Sequence, residues 1–399
     1  MATFEQFLDT FDIDNDSKGK QFEKFLKWYF QNHPKWSNLF EKVWLWADED
    51  NPYRWQEQDL GTDLIATTYT GEVWAIQSKC YNPEISLGLH QFSTFLSDTS
   101  RKEIDKRLLV STTKSISNNA KKTLRGQEKP IITLLYDEFT DSGFNYPDSY
   151  HDLQEPYKRK ELTPRPYQEK AIEDVSKGFR DSDRGQLIMA CGTGKTYTTL
   201  WIKEALNSKT TLILLPSLSL LSQTLEEWYK AFKSPFEALC VCSDSTVTSR
   251  VDGLVETVSD IHFPTTTDPE IIKKFLNRDV QKVVFSTYQS SPMIAEVFKD
   301  FKVRPFDLAI ADEAHRCTGD TTSAFTTIID QNRIKANKRL FTTATPKTFG
   351  LYAHKKAESR DIEIADMNDE SKFGNVFHKL LFSDAINYKP EPLLNDYRA

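Results

Sequence analysis

The 399-residue sequence contains no run of about 18 apolar residues, so nothing in it reads as a membrane-spanning helix. Its opening residues, Met1-Ala-Thr-Phe-Glu-Gln, show no basic stretch ahead of an apolar one and do not read as a secretory leader. Cysteine is scarce. The five are Cys80, Cys191, Cys240, Cys242 and Cys317, and no two form a Cys-x-x-Cys pair. That spacing argues against zinc and disulfide frameworks and fits a reducing cytoplasm, the expected location. Cys240 and Cys242 alternate along an apolar run and are expected as core residues. An excess of positive charge is also missing: 51 Lys and Arg face 58 Asp and Glu, for a net charge of −7. Such a chain does not coat nucleic acid by bulk charge, although a local basic groove would suffice for a DNA enzyme. One stretch could supply it, with Arg101, Lys102, Lys106, Arg107, Lys114, Lys121, Lys122, Arg125 and Lys129; the alternative is solvated faces of surface helices. Neither internal repeats nor low-complexity tracts occur.

What is present is a soluble composition, 39% hydrophobic and 27% charged, at a length that predicts two or three domains. Phe22, Phe25, Leu26, Tyr29 and Phe30 recur at helical spacing and predict a helix over 18–32. Residues 43–46 form a short strand candidate. Two β-prone runs, 63–69 and 73–80, meet at Thr70-Gly71 as a hairpin. A helix is expected at 89–96 and strands at 107–111 and 131–136, which closes a first α/β domain over 1–140. Residues 141–160, with Gly143, Pro147, Pro156 and Lys158-Arg-Lys160, are the linker candidate. Over 161–375 short apolar runs at 186–190, 211–216, 238–243, 282–287, 307–311 and 340–345 alternate with helical segments. That pattern predicts a parallel sheet covered on both faces. Residues 244–280 are polar and carry no readable pattern. Residues 376–399 read as the start of a further domain, with the pieces 381–386 and 393–398 as an entry strand cut short. Trp44, Trp46, Trp55 and Trp74 are expected to pack in the core or hairpin rather than stack on bases.

Met189-Ala-Cys-Gly-Thr-Gly-Lys-Thr196 follows an apolar run and precedes a helix. Gly192, Thr193 and Gly194 let backbone N–H groups turn inward around phosphates, and the helix N-terminus adds partial positive charge. Lys195 would reach the β- and γ-phosphates of ATP, and the Thr196 hydroxyl would ligate Mg2+. Met189 stands where the usual pattern has Gly or Ala. Asp312 ends another apolar run, where its carboxylate could hold Mg2+; Glu313 could orient and deprotonate the attacking water, with His315 near the γ-phosphate. Gln168, in Arg165-Pro-Tyr-Gln168, could read an adenine edge. Thr343 and Thr345 end a further strand. The hydroxyls of Leu215-Pro-Ser-Leu-Ser219 and Ser286-Thr-Tyr-Gln-Ser290 could hold strand phosphates.

In the first domain, a turn at Thr70-Gly71 sets Asp63 opposite 77–79, with Gln77 and Lys79 on one face and Ser78 pointing away. A carboxylate, an amide oxygen and a lysine together suit metal-assisted phosphodiester hydrolysis. Asp63 and Gln77 would bind Mg2+, and Lys79 would position water and offset negative charge; Glu23 is a further candidate and Asp59 a rival. Alternating polar residues on a half-exposed strand would leave the same pattern.

The motifs from Gln168 to Thr345 resemble those of superfamily 2 DEAH-box helicases, over about residues 161–375. About residues 18–137, including Gly61-Thr-Asp63, Gln77, Lys79 and Glu23, resemble the Mrr-like branch of the PD-(D/E)xK nucleases, in which glutamine replaces the usual acidic residue. Together they resemble the first part of type ISP restriction–modification enzymes. The resemblance implies a nuclease fold ahead of a RecA-like ATPase, acting on double-stranded DNA with ATP and Mg2+. It also implies a longer parent polypeptide carrying a second RecA-like domain, a methyltransferase and a target-recognition domain, so that this chain binds ATP with weak turnover. Two alternatives stand beside it: a modification-dependent or phage-defence nuclease–helicase lacking a methyltransferase, and a catalytically idle nucleotide-gated DNA-binding module.

Overall fold

The computed structural model describes residues 2–55, 61–69, 71–129, 131–141, 144–154, 162–243, 265–300, 302–320, 323–349 and 364–387. The chain divides into two compact units, Met1–Lys160 and Glu161–Ala399.

The first unit is built on a mixed sheet. Its strands are β1 (Phe40–Leu45), β2 (Leu64–Thr68), β3 (Val73–Lys79), β5 (Lys106–Ser111) and β7 (Ile131–Leu134), in that spatial order; a small parallel pair, β4 (Ser86–Leu87) and β6 (Ser115–Ile116), stands apart. β1–β2 and β2–β3 pair antiparallel, whereas β3–β5 and β5–β7 pair parallel. Gly71 takes φ +90° in the turn of the expected hairpin, a conformation glycine adopts without strain; Thr70 lies outside the described residues. Helix α1 (Phe4–Leu8) precedes α2 (Asn15–Asn32), which starts where the Asp14 side chain accepts from the Ser17 N–H and stops at His33, ahead of Pro34. The apolar stripe of α2 buries Phe22, Phe25, Leu26, Tyr29 and Phe30. Side-chain alternation divides the two faces of β3. Trp74 packs on Phe40, which packs on Phe30 of α2. Val73 and Ala75 instead join Phe92, Phe95 and Leu96, the last two on α4 (Ser93–Asp98), after α3 (Pro34–Leu39). Trp44, Trp46 and Trp74 are buried, as expected.

Three expectations are corrected here. The described part of the segment 141–160 is not simply a linker: Phe144 and Tyr146 are buried against Tyr29 and Phe25, and residues 155–160 lie outside the described residues. An aromatic pair can only be sequestered by folding its backbone onto the core, whatever the polar residues around it. The last strand ends at Leu134, and Tyr136 opens α6 (Tyr136–Asp141). The basic stretch is no continuous track. Arg107 is 2% exposed and donates to Thr99 Oγ1, the Leu96 carbonyl and Ser100 Oγ, and Lys129 donates to the Arg101 and Ile104 carbonyls. Lys121 and Lys122 on α5 (Asn118–Arg125) remain exposed.

The second unit carries an eight-stranded, wholly parallel sheet. Its order is β11 (Thr265–Thr266), β10 (Glu237–Val241), β12 (Lys282–Thr287), β9 (Thr210–Leu215), β13 (Phe306–Ala311), β15 (Ala336–Thr343), β8 (Arg184–Met189), β17 (Asn375–Leu380). A short antiparallel pair, β14 (Gly319–Asp320) and β16 (Ile364–Ala365), lies outside it. Near-continuous burial along the sheet strands reflects helices on both faces, among them α7 (Pro166–Asp181), α8 (Lys195–Ala205), α9 (Leu218–Ala231) and α11 (Ser291–Asp300). Cys240 and Cys242 are buried core residues. Of the unplaced stretch 244–280, the described part holds β11 and helix α10 (Pro269–Leu276); residues 244–264 lie outside the described residues. Among the described residues no helix is long and apolar enough to cross a membrane.

The entry strand expected at 381–386 is not found there, and residues 388–399 lie outside the described residues. Residues 375–380 add the strand β17 to the edge of this same sheet, beside β8, and 382–387 are helical rather than extended. The physical reason is a notch. The Phe377 ring occupies the space above Gly178 and Gly185, where a Cβ would come within 2.3 and 2.2 Å of it, and its edge meets Phe179 at 5.1 Å. The Gln186 amide donates to the Met367 and Gly374 carbonyls at 2.9 Å each and fastens the incoming chain. Phe377→Ala should therefore lower the free energy of unfolding by about 2 kcal/mol, less than a fully buried phenylalanine because the ring is half-buried. Urea denaturation measures this, and an unchanged midpoint would mean that β17 is not docked.

Candidate nuclease and nucleotide sites

In the first unit the sheet register settles where Asp63 lies. β2 begins at Leu64, paired with Ile76, and the Asp63 N–H donates to the Ile76 carbonyl at 2.9 Å. Beyond that point β2 offers β3 no further backbone acceptor, and the Asp63 carboxylate takes its place. Asp63 Oδ2 accepts from the Ser78 N–H at 2.5 Å and from Ser78 Oγ at 2.9 Å. Ser78 thus does not simply point away: Asp63 reaches over the strand end to it. Strict alternation conceals this, because alternation holds only while the ladder continues. Gln77 is 2% exposed, and its amide lies beneath Gly61, whose added Cβ would stand 2.7 Å from Gln77 Nε2. Gly61 has φ +109°, so this close approach requires glycine twice over. Gln77 Oε1 is buried and has no hydrogen-bond partner among the described residues. Lys79, two residues on and on the same face, has no ion-pair partner among the described residues.

An unpartnered buried carboxamide oxygen next to a carboxylate fits a hard divalent cation, which takes oxygen ligands. Among the described residues no three His, Cys, Asp or Glu side chains are placed to hold a metal, so such a cation would complete its shell with water or substrate oxygens. Glu23 is half-buried on α2, which covers the sheet face opposite Gln77 and Lys79, so it can approach the site only past the strand ends. Asp59 lies outside the described residues.

In the second unit the motifs gather at the carboxyl ends of adjacent parallel strands, where ligands bind in open α/β sheets. The loop after β8 turns on Gly192 and Gly194, with φ +76° and +73°, and an added Cβ on Gly192 would meet nothing within 4 Å. That open loop, running into the N-terminus of α8, fits a phosphate. Thr193 is buried and its hydroxyl donates to the Ala190 carbonyl at 2.7 Å, so its contribution is to the loop's shape. Thr196 takes the second position of α8, and its carbonyl accepts from Trp228 Nε1 at 3.0 Å. Lys195 Nζ lies 2.8 Å from Glu313 Oε1 and 3.8 Å from Asp312 Oδ1. Burial raises the Asp312 carboxyl above its ordinary range, with Lys195 and a 2.6 Å hydrogen bond from Thr342 Oγ1 opposing. His315 Nδ1 lies 3.3 Å from Glu313 Oε2 and 3.1 Å from Thr343 Oγ1. Lys195, Asp312, Glu313, His315 and Thr343 therefore form one connected network. Thr345 is exposed, with its N–H donating to Thr343 Oγ1 at 3.2 Å. Thr342 was not expected, although parallel pairing of Ala311 with Phe341 carries it level with Asp312.

Two sets of candidate residues are engaged in hydrogen bonds within the protein. Gln168 is buried and has both amide ends engaged: Oε1 accepts from the Arg165 N–H at 2.8 Å, and Nε2 donates to the Thr193 and Gly194 carbonyls at 3.1 and 3.3 Å. It braces the phosphate loop rather than presenting a free edge to adenine. The hydroxyls of 286–290 are likewise turned inward. Ser286 Oγ donates to the Val241 carbonyl, and Thr287 Oγ1 to Ser290 Oγ. Buried hydroxyls at strand ends satisfy the nearest carbonyl first.

Comparison with known proteins bears on both units. Residues 31–155 match the restriction endonuclease family, and residues 161–348 match the family of the type III restriction enzyme res subunit. Among solved structures, the ATP-dependent type ISP restriction–modification enzyme LlaBIII bound to DNA is similar with a TM-score of 0.73 at 32% identity, over 97% of this chain and 25% of that one. The probable helicase A859L of African swine fever virus is 35% identical over 190 residues, 47% of this chain and 20% of that protein. The endonuclease subunit of the type I restriction enzyme EcoAI from Escherichia coli is 29% identical over 228 residues, 56% of this chain and 22% of that protein. The chain spans about a fifth of the length of the curated relatives it matches. It thus joins an Mrr-type restriction-endonuclease domain to a res-subunit-type helicase domain, and it resembles the type ISP restriction–modification enzymes over nearly its whole length.

Proposed function

We propose that the chain cleaves DNA phosphodiesters with a divalent cation, Mg2+ by its donor set, and that ATP binding in the second unit drives movement along duplex DNA. The observation that carries this reading is Gln77: a buried carboxamide oxygen with no partner among the described residues, beside Asp63 at a strand end, in the same chain as a phosphate loop. Asp63 and Gln77 would hold the cation, with Glu23 a further ligand reaching past the strand ends. A cation there would polarise the scissile phosphate as a Lewis acid. Lys79 supplies a fixed positive charge for the phosphate and positions water. In the second unit Gly192, Gly194 and the start of α8 cradle the phosphates of ATP, and Thr196 and Asp312 would hold its Mg2+. Lys195 moves from Glu313 to the phosphates, which frees the Glu313 carboxylate to orient the attacking water and take its proton. His315, between Glu313 and Thr343, carries the state of that carboxylate to the end of β15. Free cysteines, with none paired among the described residues, accord with a cytoplasmic setting.

A second reading has its own observation. A carboxylate that replaces a missing backbone acceptor is what a purely structural Asp63 would also be, as in an idle module that only grips DNA.

Three measurements decide. Supercoiled plasmid with Mg2+ should be nicked by the wild type and not by Asp63→Ala. If the wild type leaves the plasmid intact at every Mg2+ concentration, the idle module is the better account. Lys79→Ala should remove nicking and leave the thermal midpoint within about 1 °C, since the half-buried lysine has no ion-pair partner among the described residues to lose; a large drop would mark Lys79 as structural. In an equilibrium titration with a fluorescent ATP analogue, Lys195→Ala should weaken binding at least about a hundredfold, about 2.7 kcal/mol for a lost charge-assisted contact. Unchanged affinity would overturn the nucleotide assignment.

A further inference from the structure

We infer that Tyr288 and Gln289 act as a lever that connects a bound nucleic-acid strand to the acidic loop of the nucleotide site, with Tyr288 the positioning residue. The inference rests on the ATP- and DNA-binding reading above. β12 ends at Thr287, and the next two residues face opposite ways: Tyr288 is wholly buried and Gln289 is exposed. The phenol reaches past the end of β9, which separates β12 from β13, and its hydroxyl donates to the main-chain carbonyl of Asp312 at 2.6 Å. The Asp312 N–H already donates to the Leu214 carbonyl of β9 at 2.9 Å. The backbone of this one residue is therefore held from two neighbouring strands.

The conformation of the next residue makes such anchoring necessary. Glu313 has φ +49°, a left-handed conformation that is unfavourable for a non-glycine residue and persists only where its surroundings over-determine it. That conformation aims its carboxylate at Lys195 and His315. The phenol itself is firmly seated. Its ring stacks on Phe325 at 5.2 Å, and Ser291 Oγ bridges the Tyr288 and Ala324 carbonyls at 2.8 and 3.0 Å. The neighbouring hydroxyls of Ser286, Thr287 and Ser290 are bonded internally, which leaves the Gln289 carboxamide as the side chain of this turn turned outward. A neutral carboxamide matches the phosphate and sugar oxygens of a nucleic-acid backbone, which carry no sequence information. A strand drawn against Gln289 shifts the turn, and the phenol passes that shift to Asp312 and Glu313.

The test uses the full chain and a fluorescent ATP analogue, titrated with and without saturating duplex DNA. Coupling between two sites is reciprocal and usually amounts to about fivefold or more in affinity. In the wild type, DNA should change nucleotide affinity by at least that factor. Tyr288→Phe keeps the ring on Phe325 and removes only the hydroxyl; the coupling should fall to within about twofold of none, with the thermal midpoint retained. Gln289→Ala, at an exposed position where misfolding is not at issue, should lose the same coupling. Coupling that survives both substitutions overturns the lever, as does a wild type that binds nucleotide and DNA without mutual effect. A wild type that binds no nucleotide instead overturns the ATP reading, and the lever with it.

Discussion

The ion pair between Lys195 and Glu313, with Asp312 close by, is the interaction around which the second unit is organised. In the sheet, β15 separates β8 from β13, so a lysine carried after β8 meets carboxylates carried after β13 only by closing over the end of β15. That closure brings Thr342 onto Asp312 and Thr343 onto His315. Half-burying two carboxylates without a cation would be costly, and desolvation already pushes the Asp312 carboxyl upward. The amine, two hydroxyls and an imidazole are the groups that make the acidic pair tolerable here. They are also the groups whose rearrangement would accompany a bound phosphate.

The first unit solves a related problem at a smaller scale. β2 stops before β3 does, which leaves the Ser78 N–H without a strand acceptor. A side-chain carboxylate fills that role, and Gln77 lies alongside with an oxygen that has no hydrogen-bond partner among the described residues. Unequal strand lengths thus create both the structural need for Asp63 and the polar setting of a cation site. The two roles are compatible, since a carboxylate has two oxygens and several acceptor directions.

Where the reading of the sequence went astray, the reason was each time a contact between distant segments. Gln168 has the right chemistry for a base edge, but folding sets it under the phosphate loop, where two carbonyls take its donors. The serines and threonine at 286–290 could hold phosphates, yet burial at the end of a central strand turns Ser286 onto a carbonyl and Thr287 onto the Ser290 hydroxyl. Phe144, Tyr146 and Phe377 lie in segments of linker-like or ambiguous composition. Each becomes structural because a cavity elsewhere fits an aromatic ring: the cluster around Tyr29 for the first two, the Gly178–Gly185 notch for the third. Arg107 reads as a surface cation and is instead a buried donor to a carbonyl and two hydroxyls.

The sequence by itself determined what depends on local spacing. The phosphate loop needs its glycines and lysine within a few residues; the α2 stripe follows the helical period; the hairpin places Asp63 opposite Gln77; and continuous apolar runs impose a parallel sheet. Tertiary structure alone decided which strands lie side by side, and hence which strand-end groups meet. Neither the Lys195–Glu313 pair, 118 residues apart, nor the Tyr288–Asp312 contact across β9 can be read from any local pattern. Such contacts are fixed by strand order, and strand order reflects the packing of whole helices and strands against one another rather than the preference of any short segment.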